Sequence, residues 1–257
     1  MTSTRYRRHA TLFAFLCLAY ALVAKESIAV PGPAKIERVI VGATNDFRRT
    51  QKQPKLETDP ALAQTALNFA RFMAKTGNYG HNADGRSPEQ RAQQQGYDYC
   101  IVAENIAYIS TRQPIEADAL ALRFVHGWQN SPDHRKNMLN SDVTQIGVAV
   151  ARSDKTGYFY AVQLLGRPKR DAISFQIDNR SNDTISYMLG DRALSLPPGT
   201  IRTHRQCGRS ELKLGVASVI PQRNERYAVI KDGPGKFRLV MAGDPSRTSS
   251  RKSNKLP

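Results

Sequence analysis

The hydrophobic pattern of this chain changes period part-way along its length, and that change limits the fold more than any other feature. Over the first half, apolar side chains recur at helical spacing, which is typical of amphipathic helices. From Asp171 onward the strand-like runs are short and closely separated by turn residues. We therefore predict an α+β chain whose helices come first and whose last third is a small, mostly antiparallel β-sandwich or barrel-like module.

Capping and turn residues mark where several elements begin. Asp59 and Pro60 are placed to be the N-cap and first residue of one helix. Ser87 and Gln90 have the spacing of a capping box at the start of another helix. An antiparallel hairpin is predicted by TQIGVAVARS and YFYAVQLLG, which flank the turn DKTG, and ENIAYIS could add a strand to the same sheet.

The first 29 residues have the composition of a secretory signal peptide. Arginines precede an apolar run from Ala10 to Ala24, and Ser27 and Ala29 are small residues suited to cleavage before Val30. The run is shorter than the roughly 20 residues that a membrane-spanning helix needs, although an uncleaved anchor is the alternative. We therefore predict a secreted or periplasmic protein of the cell envelope or extracellular space.

The chain is strongly basic, with a formal net charge of +16. Residues 166–257 hold 18 Lys or Arg against 8 Asp or Glu, and within them residues 244–257 have the composition of a basic disordered tail. In an exported protein this excess suggests contact with an anionic membrane or envelope surface, and we expect no specific nucleic-acid partner. The alternative is a solvated surface that keeps the protein soluble.

Two cysteines, Cys100 and Cys207, lie outside the predicted signal peptide. In an oxidising compartment they are most simply one disulfide, which would join the two halves of the chain. Metal binding by this pair is less favoured, because neither cysteine lies in a Cys-x-x-Cys spacing.

Three polar residues have surroundings that suggest a site. His81 precedes a turn, His134 lies at the start of a short helix, and Glu104 interrupts an apolar run, where an unpaired carboxylate is costly to bury. Two imidazoles and one carboxylate could hold Zn²⁺ or another divalent cation with an open coordination position. The alternatives are a hydrogen-bonded structural histidine and a helix cap, because no spacing here forms a local metal motif.

Three blocks, in this order, resemble the bacterial branch of the CAP superfamily: GHNADGRSPEQRAQQQGY with AENIA, GWQNSPDHRKNMLNSDVTQIGVAVA, and YFYAVQLLG. That superfamily unites cysteine-rich secretory proteins, insect venom antigens and plant pathogenesis-related proteins. The resemblance covers residues 37–166 and implies an α-β-α sandwich domain there. We assign residues 171–243 to a second, β-rich domain.

The resemblance also implies a central cleft, which binds divalent metal in some members of the superfamily. By motif, its residues are His81, Glu104 and His134, with Asn137 where eukaryotic members often have Gln. Glu104 would then lie between the two imidazoles, whose charge or hydrogen-bond donors compensate for its burial.

One position departs from the family pattern. Ser131 stands where the pattern has a second acid, and Asp133 could substitute for it. The departure argues against a tight four-ligand metal site. Ser131 itself precedes a proline at a helix start, where an N-cap is a far commoner role than that of a nucleophile.

Together these features lead us to expect an exported binding protein rather than a conventional enzyme. Its cleft would take a lipid, a sterol or a peptide, and its basic β module would contact anionic surfaces. One alternative is a hydrolase of peptidase type, using metal or a His/Glu pair to activate water. The other is a structural protein of the envelope.

Overall fold

The computed structural model describes residues 32–111 and 113–242. The predicted signal peptide (1–29) and basic tail (244–257) lie outside this part of the chain, so both stay predictions. Within it, no helix combines the length and the apolar character needed to cross a bilayer.

Up to residue 171, the described chain forms five helices, four strands and one short 3-10 turn. The helices are Pro33–Thr50 (α1), Pro60–Thr76 (α2), Pro88–Gln94 (α3), Ala117–Asn130 (α4) and Pro132–Leu139 (α5). The strands are Glu57–Thr58 (β1), Tyr99–Ile109 (β2), Gln145–Arg152 (β3) and Phe159–Pro168 (β4).

These elements form three layers. The strands make one sheet in the order β1-β3-β4-β2, in which only the pair β1/β3 is parallel. One face of the sheet packs on α1 and α4 around a core that includes Ile40 and Trp128. The other face packs on α2 and α3 around a core that includes Phe69 and Met73. The predicted α-β-α sandwich is confirmed.

Two of the capping signals are satisfied as predicted, whereas Ser131 lies at the N-cap position of α5 without a side-chain capping hydrogen bond. The Asp59 carboxylate accepts hydrogen bonds from the backbone N–H groups of Ala61 (2.9 Å) and Leu62 (3.0 Å), which starts α2. Both bonds of the capping box between Ser87 and Gln90 are present at the start of α3. The predicted hairpin is β3 and β4, and ENIAYIS lies within β2, which begins earlier, at Tyr99.

Residues 173–241 form eight strands in two four-stranded sheets that share one apolar core. The sheets have the orders β10-β9-β6-β7 and β12-β11-β5-β8, and only the pair β5/β11 is parallel. The strands are Ile173–Asn179 (β5), Ile185–Leu189 (β6), Arg192–Leu196 (β7), Ile201–Gln206 (β8), Leu212–Leu214 (β9), Ala217–Val219 (β10), Arg226–Lys231 (β11) and Phe237–Met241 (β12). The mostly antiparallel β module is confirmed.

One disulfide joins the two parts of the chain. Cys100, near the start of β2, is bonded to Cys207, just after β8, with a Cα–Cα distance of 5.1 Å. Nearby, the carboxylate of Asp142 accepts a hydrogen bond of 3.0 Å from the backbone N–H of Arg209. The predicted disulfide is confirmed, whereas the domain limits at 37–166 and 171–243 stay a prediction.

Candidate functional site

Glu104 lies in the middle of β2, and both of its carboxylate oxygens have partners. Its side chain is 1% exposed. Oε1 lies 2.8 Å from Nδ1 of His81, and Oε2 accepts a hydrogen bond of 2.7 Å from Nη2 of Arg91. A buried carboxylate is tolerated when it is paired and hydrogen-bonded in this way, because the partners offset its lost hydration.

Arg91 of α3 holds this cluster together. Its Nη1 donates to Oδ1 of Asp84 (2.8 Å) and to the carbonyl of Arg86 (2.7 Å). Its guanidinium also lies over the ring of Phe69, 3.6 Å from the centroid. Arg91 therefore links Asp84 and Glu104, two acids with buried side chains that each have one further basic partner, Arg86 and His81 respectively.

His81 is the member of the cluster that solvent reaches. Its side chain is 50% exposed. The hydrogen bond to Glu104 raises the pKa of His81, an effect that partial burial and the charge of Arg91 oppose. Because Nδ1 faces Glu104, the other ring nitrogen, Nε2, is the one left for a ligand.

His134 lies close to His81 but does not hold Glu104. Burial lowers the pKa of His134, and the charge of His81 lowers it further, whereas Asp133 acts in the opposite direction. The expected placement of Glu104 between two imidazoles is therefore wrong: Arg91 takes the position expected for His134. The Asp133 side chain is exposed on the first turn of α5, and the second acid of the cluster is Asp84.

Asn137 forms hydrogen bonds with residues of β2 but with no side chain of the cluster. Its Nδ2 donates to the carbonyl of Glu104 (3.3 Å) and to Oδ1 of Asn105 (2.9 Å). Asn105 donates in turn to Gln163 (2.8 Å), and Gln163 donates to Thr44 of α1 (2.9 Å). This buried chain of side-chain hydrogen bonds joins α5, the sheet and α1, so Asn137 positions the elements around the cleft.

The donor set does not fit the metal site considered for His81, Glu104 and His134. In the described ranges, no group of three or more His, Cys, Asp or Glu side chains is arranged to hold a metal ion. The second oxygen of Glu104 is bonded to Arg91, whose fixed positive charge opposes a bound cation at that place. We therefore derive no metal chemistry from this cluster.

Four tyrosines lie side by side next to the cluster, and two of them are exposed. Tyr79 and Tyr108 are 46% and 50% exposed, with ring centroids 5.0 Å apart. The ring centroid of Tyr108 also lies 5.8 Å from those of both Tyr158 and Tyr160. We call these four residues the tyrosine row. Its hydroxyl groups are partly satisfied, since Tyr79 donates to the carbonyl of Ile106 (3.1 Å).

A cavity of about 840 Å³ lies elsewhere. It opens between α1 and the β1–β3 edge of the sheet, beside Val41, Gly42 and Val148. None of the candidate site residues lines it. The candidate site is a polar cluster that solvent reaches at His81, and it is separate from this apolar groove.

Residues 41–165 match the family model described as cysteine-rich secretory protein family, CAP. This segment is a CAP domain. Its three-layer architecture and the order of its sequence blocks agree with that assignment.

Two curated relatives of this CAP domain are proteins of Bacillus subtilis (strain 168). The chain is 33% identical over 124 residues to the uncharacterized membrane protein YlbC of Bacillus subtilis (strain 168), which covers 48% of this chain and 34% of that one. It is 29% identical over 153 residues to the uncharacterized protein YkwD of the same organism, covering 58% and 55%. The chain thus spans only about a third to about half the length of these curated relatives.

One solved structure similar to the chain is that of an outer surface protein from Borrelia burgdorferi. It aligns with a TM-score of 0.47 at 21% identity, covering 52% of this chain and 94% of that chain.

Sequence reasoning found His81 and Glu104 but missed their main partner. Arg91 lies four residues after the capping serine Ser87 and next to the buried Ala92. This position on a short helix could have indicated that the Arg91 side chain is buried. Asp84 carried no comparable signal, because it lies in a loop whose path only the folded chain defines.

Proposed function

We propose that this chain is an exported binding protein whose CAP domain holds a small amphipathic ligand in the cleft beside His81. The ligand class is a lipid, a sterol or a peptide. Export rests on the composition of residues 1–29, and the disulfide between Cys100 and Cys207 agrees with an oxidising compartment.

The pairing of Glu104 carries this proposal. Because Arg91 and His81 occupy both oxygens, the carboxylate serves to orient and charge the imidazole. The half-exposed His81 can then donate from Nε2 to a carbonyl or acidic group of the ligand. The exposed faces of Tyr79 and Tyr108 supply apolar surface for the carbon part of the same ligand.

A hydrolase is the second candidate, and one observation favours it. A buried carboxylate bonded to Nδ1 of a half-exposed histidine is an arrangement that supports a general base, with His81 as the base and water as the nucleophile. This reading uses no metal. Contact of residues 171–243 with anionic surfaces remains part of the binding proposal.

The test compares three exported proteins: the wild type, His81→Ala, and His126→Ala as a matched control. His126 is exposed on α4 and takes no part in the cluster. Mass spectrometry of extracted lipids and peptides should find a ligand bound to the wild type and to the control and absent from His81→Ala. The same bound set in all three proteins contradicts the cleft and leaves a structural envelope role.

The hydrolase is tested with casein as substrate. Turnover by the wild type that His81→Ala abolishes, and that a metal chelator leaves unchanged, would support the second candidate. Absence of turnover by the wild type, together with loss of bound ligand in His81→Ala, would support binding alone.

A further inference from the structure

A second site candidate lies at the far end of α2. A cavity of about 360 Å³ opens between the end of that helix and the turn joining β3 to β4. Four exposed basic side chains line it: Arg71, Lys75, Arg152 and Lys155. We call it the basic pocket.

The basic side chains of this pocket have no acidic partner. Within residues 32–111 and 113–242, none of the four forms an ion pair, and neither does Asp154, the one acid in the lining. Like charges gathered around one cavity repel each other, so their arrangement favours a bound anion.

Ordinary structural roles explain only part of this arrangement. Lys75 lies in the last turn of α2, where a cation complements the helix dipole. The Arg152 guanidinium lies 5.8 Å from the ring centroid of Phe159. Neither contact explains why Arg71 and Lys155 converge on the same cavity from separate elements.

The β module, in contrast, has much of its basic charge neutralised. Asp178 forms ion pairs of 2.9 Å with both Arg180 and Arg226, and Lys231 pairs with Asp183 at 2.6 Å. These paired cations are therefore less available to an external anion than unpaired ones. In the described part of the CAP domain, four cations without an ion pair gather around one cavity.

The floor of the basic pocket is made of small apolar side chains. Ala74 and Ala151 leave the space open, and Ala151 is the cross-strand neighbour of Tyr160 in the tyrosine row. Tyr160 pairs on its other side with the exposed Tyr108.

We propose that the basic pocket binds a phosphate monoester or diester, whose oxygens meet the ammonium and guanidinium groups of the four residues. This goes beyond the proposed function, because it uses no residue of the His81 cleft and places anion binding in the CAP domain. Phosphate is favoured over a carboxylate because cations approach from two sides, and a phosphate has enough oxygens to meet them. A lipid headgroup and a soluble phosphate polymer share this chemistry.

The first arm of the test uses a soluble probe, short-chain inorganic polyphosphate, with the full chain at low ionic strength. Calorimetry compares the wild type with Arg71→Gln/Arg152→Gln. The matched control, Arg192→Gln/Lys236→Gln, removes the same charge from exposed positions of the β module. We expect the pocket variant to bind polyphosphate about thirtyfold more weakly than the wild type, with about tenfold or less lost per removed cation. The affinity of the control should change by about threefold or less.

The second arm uses vesicles of phosphatidylglycerol, with phosphatidylcholine vesicles as reference, and the same three proteins. Loss of phosphatidylglycerol binding in the pocket variant alone assigns a lipid headgroup. Loss confined to the polyphosphate arm assigns a soluble phosphate polymer. Lys75→Gln/Lys155→Gln removes the other two cations and should reproduce the loss, which separates binding from misfolding of a single variant.

Two results would overturn the inference. Equal weakening of the pocket variant and the control would mean that only net charge matters. Unchanged binding by both pocket variants on both probes would mean that the cavity is not an anion site. Neither result bears on ligand loss from His81→Ala, so the two proposals fail independently.

Discussion

At the residue scale, Glu104 shows how the chain accommodates a buried charge. The sequence alone placed the carboxylate in an apolar run and implied that something must compensate for it. The fold supplies a guanidinium on one oxygen and an imidazole on the other. Of these two partners of Glu104, sequence reasoning named only His81. The ion pair with His81 is the weaker of the two because His81 is half-exposed, whereas Arg91 is buried.

Replacing Arg91 by Met should be strongly destabilising. The change leaves Asp84 and Glu104 buried without their shared cation, so the free energy of unfolding should fall by about 3–5 kcal/mol. Urea unfolding followed by the fluorescence of Trp128 measures this. The double variant Arg91→Met/Glu104→Gln also removes the charge of Glu104, so its free energy of unfolding should be higher than that of Arg91→Met by about 1 kcal/mol or more. A loss of less than about 1 kcal/mol in Arg91→Met would contradict the assigned role.

The two histidines should titrate in opposite directions. The hydrogen bond to Glu104 raises the pKa of His81, and burial lowers that of His134. NMR titration of the two imidazoles should place the His81 midpoint above, and the His134 midpoint below, the usual value of about 6.5. A His81 midpoint at or below the His134 midpoint would contradict the geometry of the cluster.

The same shift predicts how stability depends on pH. Because its pKa is raised in the folded state, His81 stabilises the fold fully below its unfolded pKa of about 6.5, and that contribution is lost as pH rises through the folded pKa. The difference in unfolding free energy between the wild type and His81→Gln should therefore shrink from pH 5 to pH 8. A difference that grows with pH would reverse the assigned sign.

At the element scale, the contact between α2 and the sheet depends on one glycine. A Cβ added to Gly147 of β3 would lie 2.2 Å from the carbonyl carbon of Leu62 and 2.3 Å from the nitrogen of Ala63. Both atoms belong to the backbone at the start of α2, so neither can rotate away. Asp59 and Pro60 determine where α2 begins, and Gly147 determines how closely it approaches the sheet.

Gly147→Ala should therefore cost about 1–3 kcal/mol or more, the range for overpacking. Gly42→Ala is the matched control, because a Cβ at that position of α1 meets no atom within 4 Å. As an Ala replacing a Gly inside a helix, it should stabilise the protein by about 0.5–1 kcal/mol. Thermal unfolding of both variants should show shifts of opposite sign, and equal shifts would contradict this account.

Helices and strands were predicted correctly where capping residues or regular apolar alternation mark them in the sequence. The helices with capping residues and the strands with regular alternation were found, but the very short strands β1 and β10 were missed, and so was the longer β8. That strand, IRTHRQ, lies at a sheet edge and turns polar side chains outward, so its only deeply buried residue is His204. Its one inward imidazole bonds to the hydroxyl of Tyr187 (2.8 Å), a partner that no local pattern identifies.

At the scale of the whole molecule, the disulfide joins the CAP domain to the β module. Cys100 and Cys207 are separated by 107 positions along the chain. Closing a loop of that length restricts the unfolded chain, and this effect contributes about 4–5 kcal/mol in the chain-entropy model.

Cys100→Ser/Cys207→Ser should accordingly lower the free energy of unfolding by up to this amount. Urea unfolding of the wild type with and without reductant should show the same loss. Reductant should leave the double variant unchanged, which controls for other effects of the reagent. Wild-type stability that is insensitive to complete reduction would contradict a stabilising disulfide.

Caps, periodicity and residue type act locally, so the helix starts, most strands, the cysteine pair and the family resemblance could be predicted before the fold was known. Which charges meet depends instead on how the chain folds. Arg91, Asp84 and Glu104 come from a helix, a loop and a strand, and the basic pocket draws on a helix and a turn that lie far apart along the chain. Electrostatic pairing depends on distance in space, so counting charges along residues 166–257 could not reveal which cations of the β module form ion pairs.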